Sequence, residues 1–180
     1  MPLIIDDSFA RAVDIVLRHE GGISNDPNDT GGMTKFGISL RFLEMEPDGD
    51  INGDSKIDEI DISQLTRDQA IDLYWRKFWN LYQYNNFHDW KLATKVFDLA
   101  VNMGPLQSHK LLQQALQSVG IKIKIDGKLG GITFKSANTA NRDALLAALR
   151  SEAAGFYRTL CARNQNYEKF LTGWLNRAYT

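Results

Sequence analysis

The sequence has little cysteine, little net charge and no long apolar run, and each shortage excludes a class of protein. Its single cysteine, Cys161, excludes an internal disulfide framework. The net charge of -1 gives no basic surface of the kind that nucleic acids require. No apolar run is long enough to cross a bilayer. We therefore expect neither nucleic acid binding nor membrane insertion.

The first residues also lack the features of a secretory signal. The segment MPLIIDD has no basic region, and its apolar run is very short before two acidic residues. We therefore expect synthesis in the cytoplasm without a signal peptide. The length of 180 residues favours one domain, or one domain with a small appendage. The hydrophobic content of 43% is typical of a globular protein with a proper core.

Apolar residues recur at helical spacing along most of the chain, which predicts a mainly α protein. A first helix is predicted from Ser8, as its cap, to about His19. Ile121 to Ile125 alternate with lysines and predict a short strand. Further helices are predicted after the capping box Thr66-Arg67-Asp68-Gln69, after Asp89, from Pro105, after Asn141 and from Tyr167 to Ala178. The remaining loops form a small irregular or β-hairpin lobe.

The strongest chemical signal is the segment from His19 to Ile38, HEGGISNDPNDTGGMTKFGI. Glu20 ends the first predicted helix, where the helix dipole disfavours a charged carboxylate and tends to raise its pKa. A glycine-rich loop follows with Asp26 and Asp29, and Thr34 lies on the return. An acid of raised pKa facing a second carboxylate across a cleft is the arrangement of a glycosidase.

Each of these residues also has a simpler interpretation. Glu20 could be a surface glutamate at a helix end, and Asp26 and Asp29 could serve only as turn formers. Thr34 could be a strand residue facing solvent rather than a group that orients water. The crowded loop after Glu20 favours catalysis over the simpler interpretation for that residue.

Aromatic and polar residues further along the chain are candidates for sugar contacts. The aromatic set between Tyr74 and Tyr84 is dense, and core packing is the better interpretation for most of it. Asp98 and Asn102 lie one turn apart on one helix face, which favours a cleft or a buried polar network. The predicted substrate-binding residues are Asp26, Phe36, Trp79, Asp98 and Asn102.

The segment from Glu20 to Ile38 resembles the signature EGGxxxDPxDxGGxTxxGI of glycoside hydrolase family 108, which are N-acetylmuramidases of phage, prophage and secretion-associated origin. The resemblance continues at YWRKFW (74–79) and at VFDLAVNMGP (96–105). It implies a lysozyme-like α fold with Glu20 as the catalytic acid. The loop spacing also resembles that of phage-type lysozymes, which implies that Asp29 rather than Asp26 is the second carboxylate, with Thr34 beside it.

The C-terminal third resembles the peptidoglycan-binding region that accompanies this family. The similar pieces are LLQQAL (111–116), DGKLGGIT (126–133) and GWLNR (173–177). The resemblance implies a catalytic region over residues 1–103, with an acidic insert at 48–61. It also implies a helical peptidoglycan-binding region packed on it over residues 104–180.

The acidic insert resembles an EF-hand-type calcium loop, particularly that of dockerins, because calcium takes oxygens from alternating positions of a tight loop. Two registers fit. One begins at Asp48 and places Gly53 sixth and Glu59 twelfth. The preferred register begins at Asp50 and has Ile57 at the apolar eighth position. Its ligands are Asp50, Asn52, Asp54, the Lys56 carbonyl, Asp58 and Asp61. The alternative is a solvated acidic loop.

Together these features predict a peptidoglycan hydrolase that acts on bacterial cell wall by acid–base catalysis. We expect a monomer that needs no cofactor for catalysis, carries a structural Ca²⁺ and reaches the wall through a holin-type route, other export or lysis. The alternatives are a non-catalytic peptidoglycan-binding or secretion-accessory protein, a lytic transglycosylase and a chitinase-like enzyme.

Overall fold

The structure is a computed structural model that describes residues 6–20 and 33–180. Its helices in these ranges are α1 (Asp7–Glu20), α2 (Leu40–Leu43), α3 (Glu59–Gln64), α4 (Arg67–Tyr74), α5 (Trp90–Met103), α6 (Pro105–Ser118), α7 (Gly131–Thr139), α8 (Arg142–Arg163) and α9 (Glu168–Tyr179). A π-helical turn (Trp75–Trp79) continues α4, and short 3-10 turns occur at Tyr84–Asn86 and Gln165–Tyr167. Strands β1 (Thr34–Lys35) and β2 (Ile38–Ser39) form one antiparallel hairpin, which pairs Thr34 with Ser39 and Lys35 with Ile38. The predicted mainly α fold with a small hairpin is confirmed.

The central element of the core is α5. Every residue from Leu92 to Ala100 is buried, because the helix is covered on one side by α1 and on another by α6. A helix that is covered all round must be mostly apolar, and the polar residues it does bury need partners. Helix α8 packs on α6 and on α9, so α9 closes the bundle beside α5. Cys161 is buried in α8, as expected of a small apolar residue.

Three helix starts agree with the caps that the sequence predicted. Thr66 and Gln69 form the predicted capping box, and the side chains of Asp89 and Asn141 cap α5 and α8. The predicted cap at Ser8 is wrong. Instead, Asp6 Oδ1 accepts a hydrogen bond from the Phe9 nitrogen at 2.6 Å, and α1 begins at Asp7.

The strand predicted from Ile121 to Ile125 is also wrong. This segment has no regular secondary structure, and Ile121 and Ile123 pack against the core while Lys122 and Lys124 are exposed. It lies beside no other strand in the described ranges, so it forms no ladder. Helix α7 was not predicted, because no side chain caps it and it begins within the glycine pair, with Gly130 at the cap position and Gly131 as its first residue.

Within the described ranges, none of the helices combines the length and apolar character needed to cross a bilayer.

Candidate active site

Helix α1 places Glu20 at the edge of the helical core. Phe9, Val13 and Val16 hold one face of α1 in the core. Glu20 is the last residue of the helix, and its side chain is 19% exposed. A carboxyl group in this position is close to solvent yet surrounded mostly by protein, which suits proton transfer to a bound substrate.

The β1–β2 hairpin lies directly against Glu20. Its two turn residues, Phe36 and Gly37, have φ values of +54° and +75°, which is typical of a type I′ turn. A Cβ atom on Gly37 would lie 2.5 Å from Glu20 Cγ and 2.5 Å from the Tyr74 hydroxyl. Only glycine fits here, so the backbone of the turn packs on the Glu20 side chain. The Tyr74 hydroxyl donates to the Phe36 carbonyl at 2.9 Å and holds the turn down.

Arg177 contacts Glu20 from the opposite end of the chain. Its Nη2 donates to Glu20 Oε1, and its Nε donates to Asp98 Oδ1 at 3.1 Å. Arg177 is 9% exposed and Asp98 is 1% exposed. Burial lowers the pKa of Arg177, but the charges of Asp98 and Glu20 outweigh it, so the pKa lies above its ordinary value. The planar guanidinium thus joins the two carboxylates.

Asp98 has two further contacts, with His19 and Lys95, which extend this cluster. His19 Nδ1 lies 2.9 Å from Asp98 Oδ1, and Lys95 Nζ lies 3.9 Å from Asp98 Oδ2. Lys95 Nζ also donates to the main-chain carbonyl of Arg177, which ties α5 to the last turn of α9. Burial lowers the pKa of Lys95 to about 8, with Arg150 and Arg177 lowering it further and Asp98 raising it.

A cavity of about 440 Å³ opens next to this cluster. Its lining includes His19 from α1, Asn102 from α5, and Trp174 and Arg177 from α9. Asn102 Oδ1 accepts a hydrogen bond from the Tyr157 hydroxyl at 2.7 Å. Tyr157 also stacks on Trp174, with ring centroids 5.2 Å apart. The cavity therefore combines aromatic rings with amide and cationic groups, which is the combination that binds sugars.

The predicted site residues have different positions in the structure. Asp26 and Asp29 lie outside the described residues. Thr34 and Phe36 are half-buried on the hairpin that contacts Glu20. Asn102 lines the cavity beside Arg177. Asp98 is buried beside Arg177 and forms a salt bridge with it.

The predicted sugar contact of Trp79 is wrong. Its indole has no exposed surface and packs against Phe9, Tyr84 and Phe97 in the core. Sequence reasoning also missed Tyr74, Arg177 and Trp174 as members of the site. Tyr74 belonged to the aromatic run interpreted as core, and the other two lie in the segment GWLNR, which indicated only a wall-binding region.

The acidic insert forms a tight loop closed by its own carboxylates. Asp50 accepts hydrogen bonds from the main-chain nitrogens of Gly53, Asp54 and Ser55. Ser55 has a φ of +70°. Asp61 is fully buried; burial raises its pKa, but main-chain N–H groups outweigh this and hold it below the ordinary value.

The carboxylates of this loop face main-chain donors rather than one another. Across residues 6–20 and 33–180, no group of three or more His, Cys, Asp or Glu side chains is gathered as a metal site. An ionised carboxylate has about four acceptor positions, so its bonds to N–H groups leave others available.

Comparisons with known proteins give two family matches and a structural likeness. Residues 13–104 match the family Glycosyl hydrolase 108, and residues 107–179 match the family Predicted Peptidoglycan domain. The fold is similar to the structure of SagA from Brucella abortus, with a TM-score of 0.70 and 23% sequence identity over 96% of this chain and 94% of that chain. At this identity the likeness shows a shared fold. No curated protein matches the chain.

Proposed function

Because the chain belongs to the Glycosyl hydrolase 108 family, and is thus a peptidoglycan hydrolase of the N-acetylmuramidase type, we propose that Glu20 is its general acid. In this role Glu20 protonates the oxygen of the glycosidic bond between N-acetylmuramic acid and N-acetylglucosamine as that bond breaks. The observation that carries the proposal is the position of Glu20 at the end of α1, between the hairpin turn on one side and Arg177 on the other.

The second group of the reaction is Asp29, assisted by Thr34. Asp29 positions the attacking water or stabilises the oxocarbenium-like transition state. Support comes from the spacing of nine residues after Glu20 and from Thr34, which begins the strand leading to the turn that packs on Glu20. The distance between the two carboxyl groups would decide between a nucleophilic and a water-positioning role.

Arg177 acts as a positioning residue for Glu20. Its guanidinium spans Glu20 and the buried Asp98, and Asp98 is itself held by His19. A general acid must hold its proton within hydrogen-bonding reach of the leaving oxygen. A restrained carboxyl group adopts fewer unproductive conformations and is therefore more often in that geometry. The residue that fixes it lies in the segment matched to the peptidoglycan domain. This segment therefore contributes to the catalytic centre as well as to wall binding.

The glycan strand occupies the 440 Å³ cavity next to Arg177. The cavity shares Arg177 with Glu20, so a sugar bound there is adjacent to the acid. Trp174 offers aromatic surface for the apolar face of a pyranose ring, and the Asn102 amide offers hydrogen bonds to hydroxyl or acetamido groups.

The test is turnover of Glu20→Gln on purified peptidoglycan. The variant keeps the shape of the side chain but cannot donate a proton to the leaving oxygen as a carboxylic acid does. General acid catalysis contributes about 10²–10⁴-fold, so kcat should fall by at least that order. The fold should be retained, with some decrease in melting temperature because Arg177 loses a charged partner. Glu44→Gln is the matched control, because Glu44 is exposed and remote from the cluster. Turnover near that of the control would exclude Glu20 as the acid.

Mass spectrometry of the products completes this test. A hydrolase leaves a reducing muramic acid end, whereas a lytic transglycosylase leaves a 1,6-anhydro end. We expect reducing ends alone. A 1,6-anhydro product would still agree with Glu20 as the acid. It would mean, however, that the attacking group is a hydroxyl of the substrate rather than water.

We also propose that the acidic insert binds one structural Ca²⁺ in the register that begins at Asp50. One support is the left-handed backbone of Ser55 and of Gly53, because these are the sixth positions of the two registers and EF-hand loops bend there. The choice between the registers rests on Ile57, which packs against the core as the apolar eighth residue of the loop that begins at Asp50. Calorimetric titration of chelator-stripped protein should show one site, and the melting temperature should rise with Ca²⁺. Asp50→Ala with Asp54→Ala should remove both effects, whereas exposed Asp143→Ala should remove neither. Absence of heat and of a melting shift in the unmodified protein would contradict the proposal.

Three further statements stay predictions from the sequence. They are a monomeric state, a phage or prophage endolysin role, and synthesis in the cytoplasm followed by delivery to the wall.

A further inference from the structure

A second cavity, of about 390 Å³, lies on the other side of the Asp98 cluster between α1, α5 and α8. We call it the cationic cavity because Arg18, Lys91, Lys95 and Arg150 all line it. The acidic side chain in its lining is Asp98, whose Oδ1 accepts a hydrogen bond from Arg177 Nε and lies 2.9 Å from His19 Nδ1. The cavity therefore carries an excess of positive charge.

Two of these cations have no acidic partner among the described residues. Arg18 and Lys91 form no salt bridge with a carboxylate there. Arg150 Nη2 donates to the main-chain oxygen of Thr180 at 2.7 Å. The lowered pKa of Lys95, which arises from burial first and then from Arg150 and Arg177, is consistent with this local excess of positive charge.

The same cavity collects buried polar atoms that lack hydrogen bonds. In the part of the chain that the structure describes, four buried side-chain atoms have no partner, and three belong to residues that line this cavity. These three are Thr94 Oγ1, Asp98 Oδ2 and Arg150 Nε. Buried polar groups are almost always paired, so such a concentration indicates a site that holds polar guest atoms.

The cationic cavity adjoins the cavity proposed for the glycan. His19 and Thr180 line both. In peptidoglycan, the anionic group nearest the cleaved bond is the peptide stem, which hangs from the lactyl group of N-acetylmuramic acid and carries free carboxylates. A sugar in the first cavity thus brings its stem within reach of the second.

From this geometry we propose that the cationic cavity binds a carboxylate of the peptide stem, so that the enzyme prefers peptide-bearing strands to bare glycan. Arg18 and Lys91, which are exposed at its rim, attract the carboxylate and donate hydrogen bonds to it. The inference rests on the proposed function, because it assumes that the glycan lies in the first cavity.

The experiment compares kcat/KM on two forms of the same peptidoglycan. One is intact, and the other is stripped of stems by an amidase and then capped as an amide at the lactyl carboxylate that the amidase leaves on N-acetylmuramic acid. A hydrogen bond to a charged group contributes about 1.5–3 kcal/mol, so the unmodified enzyme should prefer intact strands by about tenfold or more. In Arg18→Gln with Lys91→Gln, the ratio of the two kcat/KM values should fall towards one. Equal kcat/KM of the unmodified enzyme on both substrates would overturn the inference.

The matched control is Lys122→Gln with Lys124→Gln, which removes the same charge from exposed lysines outside the cavity. It should keep the preference. If this control loses as much of the preference for intact strands as Arg18→Gln with Lys91→Gln does, general attraction to the acidic wall explains the effect and the inference is wrong. Removal of wall phosphate polymers by acid should leave the preference intact. Loss of the preference in that treatment would assign the cavity to phosphate instead.

Binding measurements separate this inference from the catalytic assignment. Calorimetry with a soluble disaccharide, with and without its peptide, should show tighter binding of the peptide form to the unmodified chain and to Glu20→Gln alike. If Glu20→Gln stays active, the proposed acid is wrong while the cavity assignment stands. Equal affinity for the two disaccharides would refute the cavity assignment whatever the fate of Glu20.

Discussion

Replacing Gly37 by alanine tests directly whether the hairpin turn holds Glu20 in place. A Cβ atom at this position lies 2.5 Å from Glu20 Cγ and from the Tyr74 hydroxyl, whereas ordinary van der Waals contact begins at 3.4 Å. Either the Glu20 side chain or the turn must therefore move by about 0.9 Å. Tyr74 restrains the turn through its hydrogen bond to Phe36, so we expect Glu20 to move.

A displacement of this size has a large effect on a general acid. Misplacing a catalytic group by about 1 Å can cost about 10²-fold in rate, so kcat of Gly37→Ala on purified peptidoglycan should fall by about 10- to 100-fold. The left-handed backbone of Gly37 adds a separate cost of about 1–2 kcal/mol in the free energy of unfolding when a Cβ is present. That second effect lowers the melting temperature without changing the turnover of the folded enzyme.

Gly120→Ala separates the two effects. Gly120 has a φ of +88°, and a Cβ there meets no atom within 4 Å, so this variant carries the backbone strain alone. We expect both variants to lose thermal stability, Gly37→Ala more because it adds the clash, and only Gly37→Ala to lose kcat. If Gly37→Ala keeps the kcat of Gly120→Ala, the turn does not position Glu20 and the reasoning is refuted.

The remaining predictions concern the second carboxylate, the glycan cavity and pH. Asp29→Asn should reduce hydrolysis more than Asp26→Asn, because only Asp29 has the spacing of the second carboxylate; the reverse order in a turbidity assay would exchange their roles. Trp174→Ala should raise KM for peptidoglycan by about fivefold, as expected from losing an aromatic contact of about 1 kcal/mol, while Leu81→Ala, at an exposed position outside the cavity, should leave KM unchanged; equal KM values in the two variants would place the sugar elsewhere. Burial lowers the pKa of His109 from 6.5 to about 4, so between these values the unfolded chain binds a proton that the folded chain does not. The free energy of unfolding should therefore decrease by up to about 3 kcal/mol as pH falls through that window. His109→Gln should lose this dependence and exposed His88→Gln should keep it, as followed by urea unfolding at several pH values.

Local sequence signals predicted most helices and the position of the acid. The caps at Asp89 and Asn141 and the Thr66 box act within one helical turn, so their neighbours in sequence are also their partners in space. The position of Glu20 at a helix end was predicted from the same kind of signal, because the amphipathic pattern stops where the glycines begin. The Ile121 to Ile125 segment shows the limit of such signals, since its alternation is real but a strand also needs a neighbour.

The sequence by itself determined the family signature, the helical class and the position of Glu20, the proposed acid, at the end of α1. Only the tertiary structure decided what surrounds that acid. Arg177 lies 157 residues from Glu20, and nothing in the spacing of either residue links them. They meet because α1 and α5 pack together while α8 brings α9 back to the same end of the bundle. Periodicity shows which residues share a face, but burial of charge and closure of cavities depend on how the faces of distant helices are assembled.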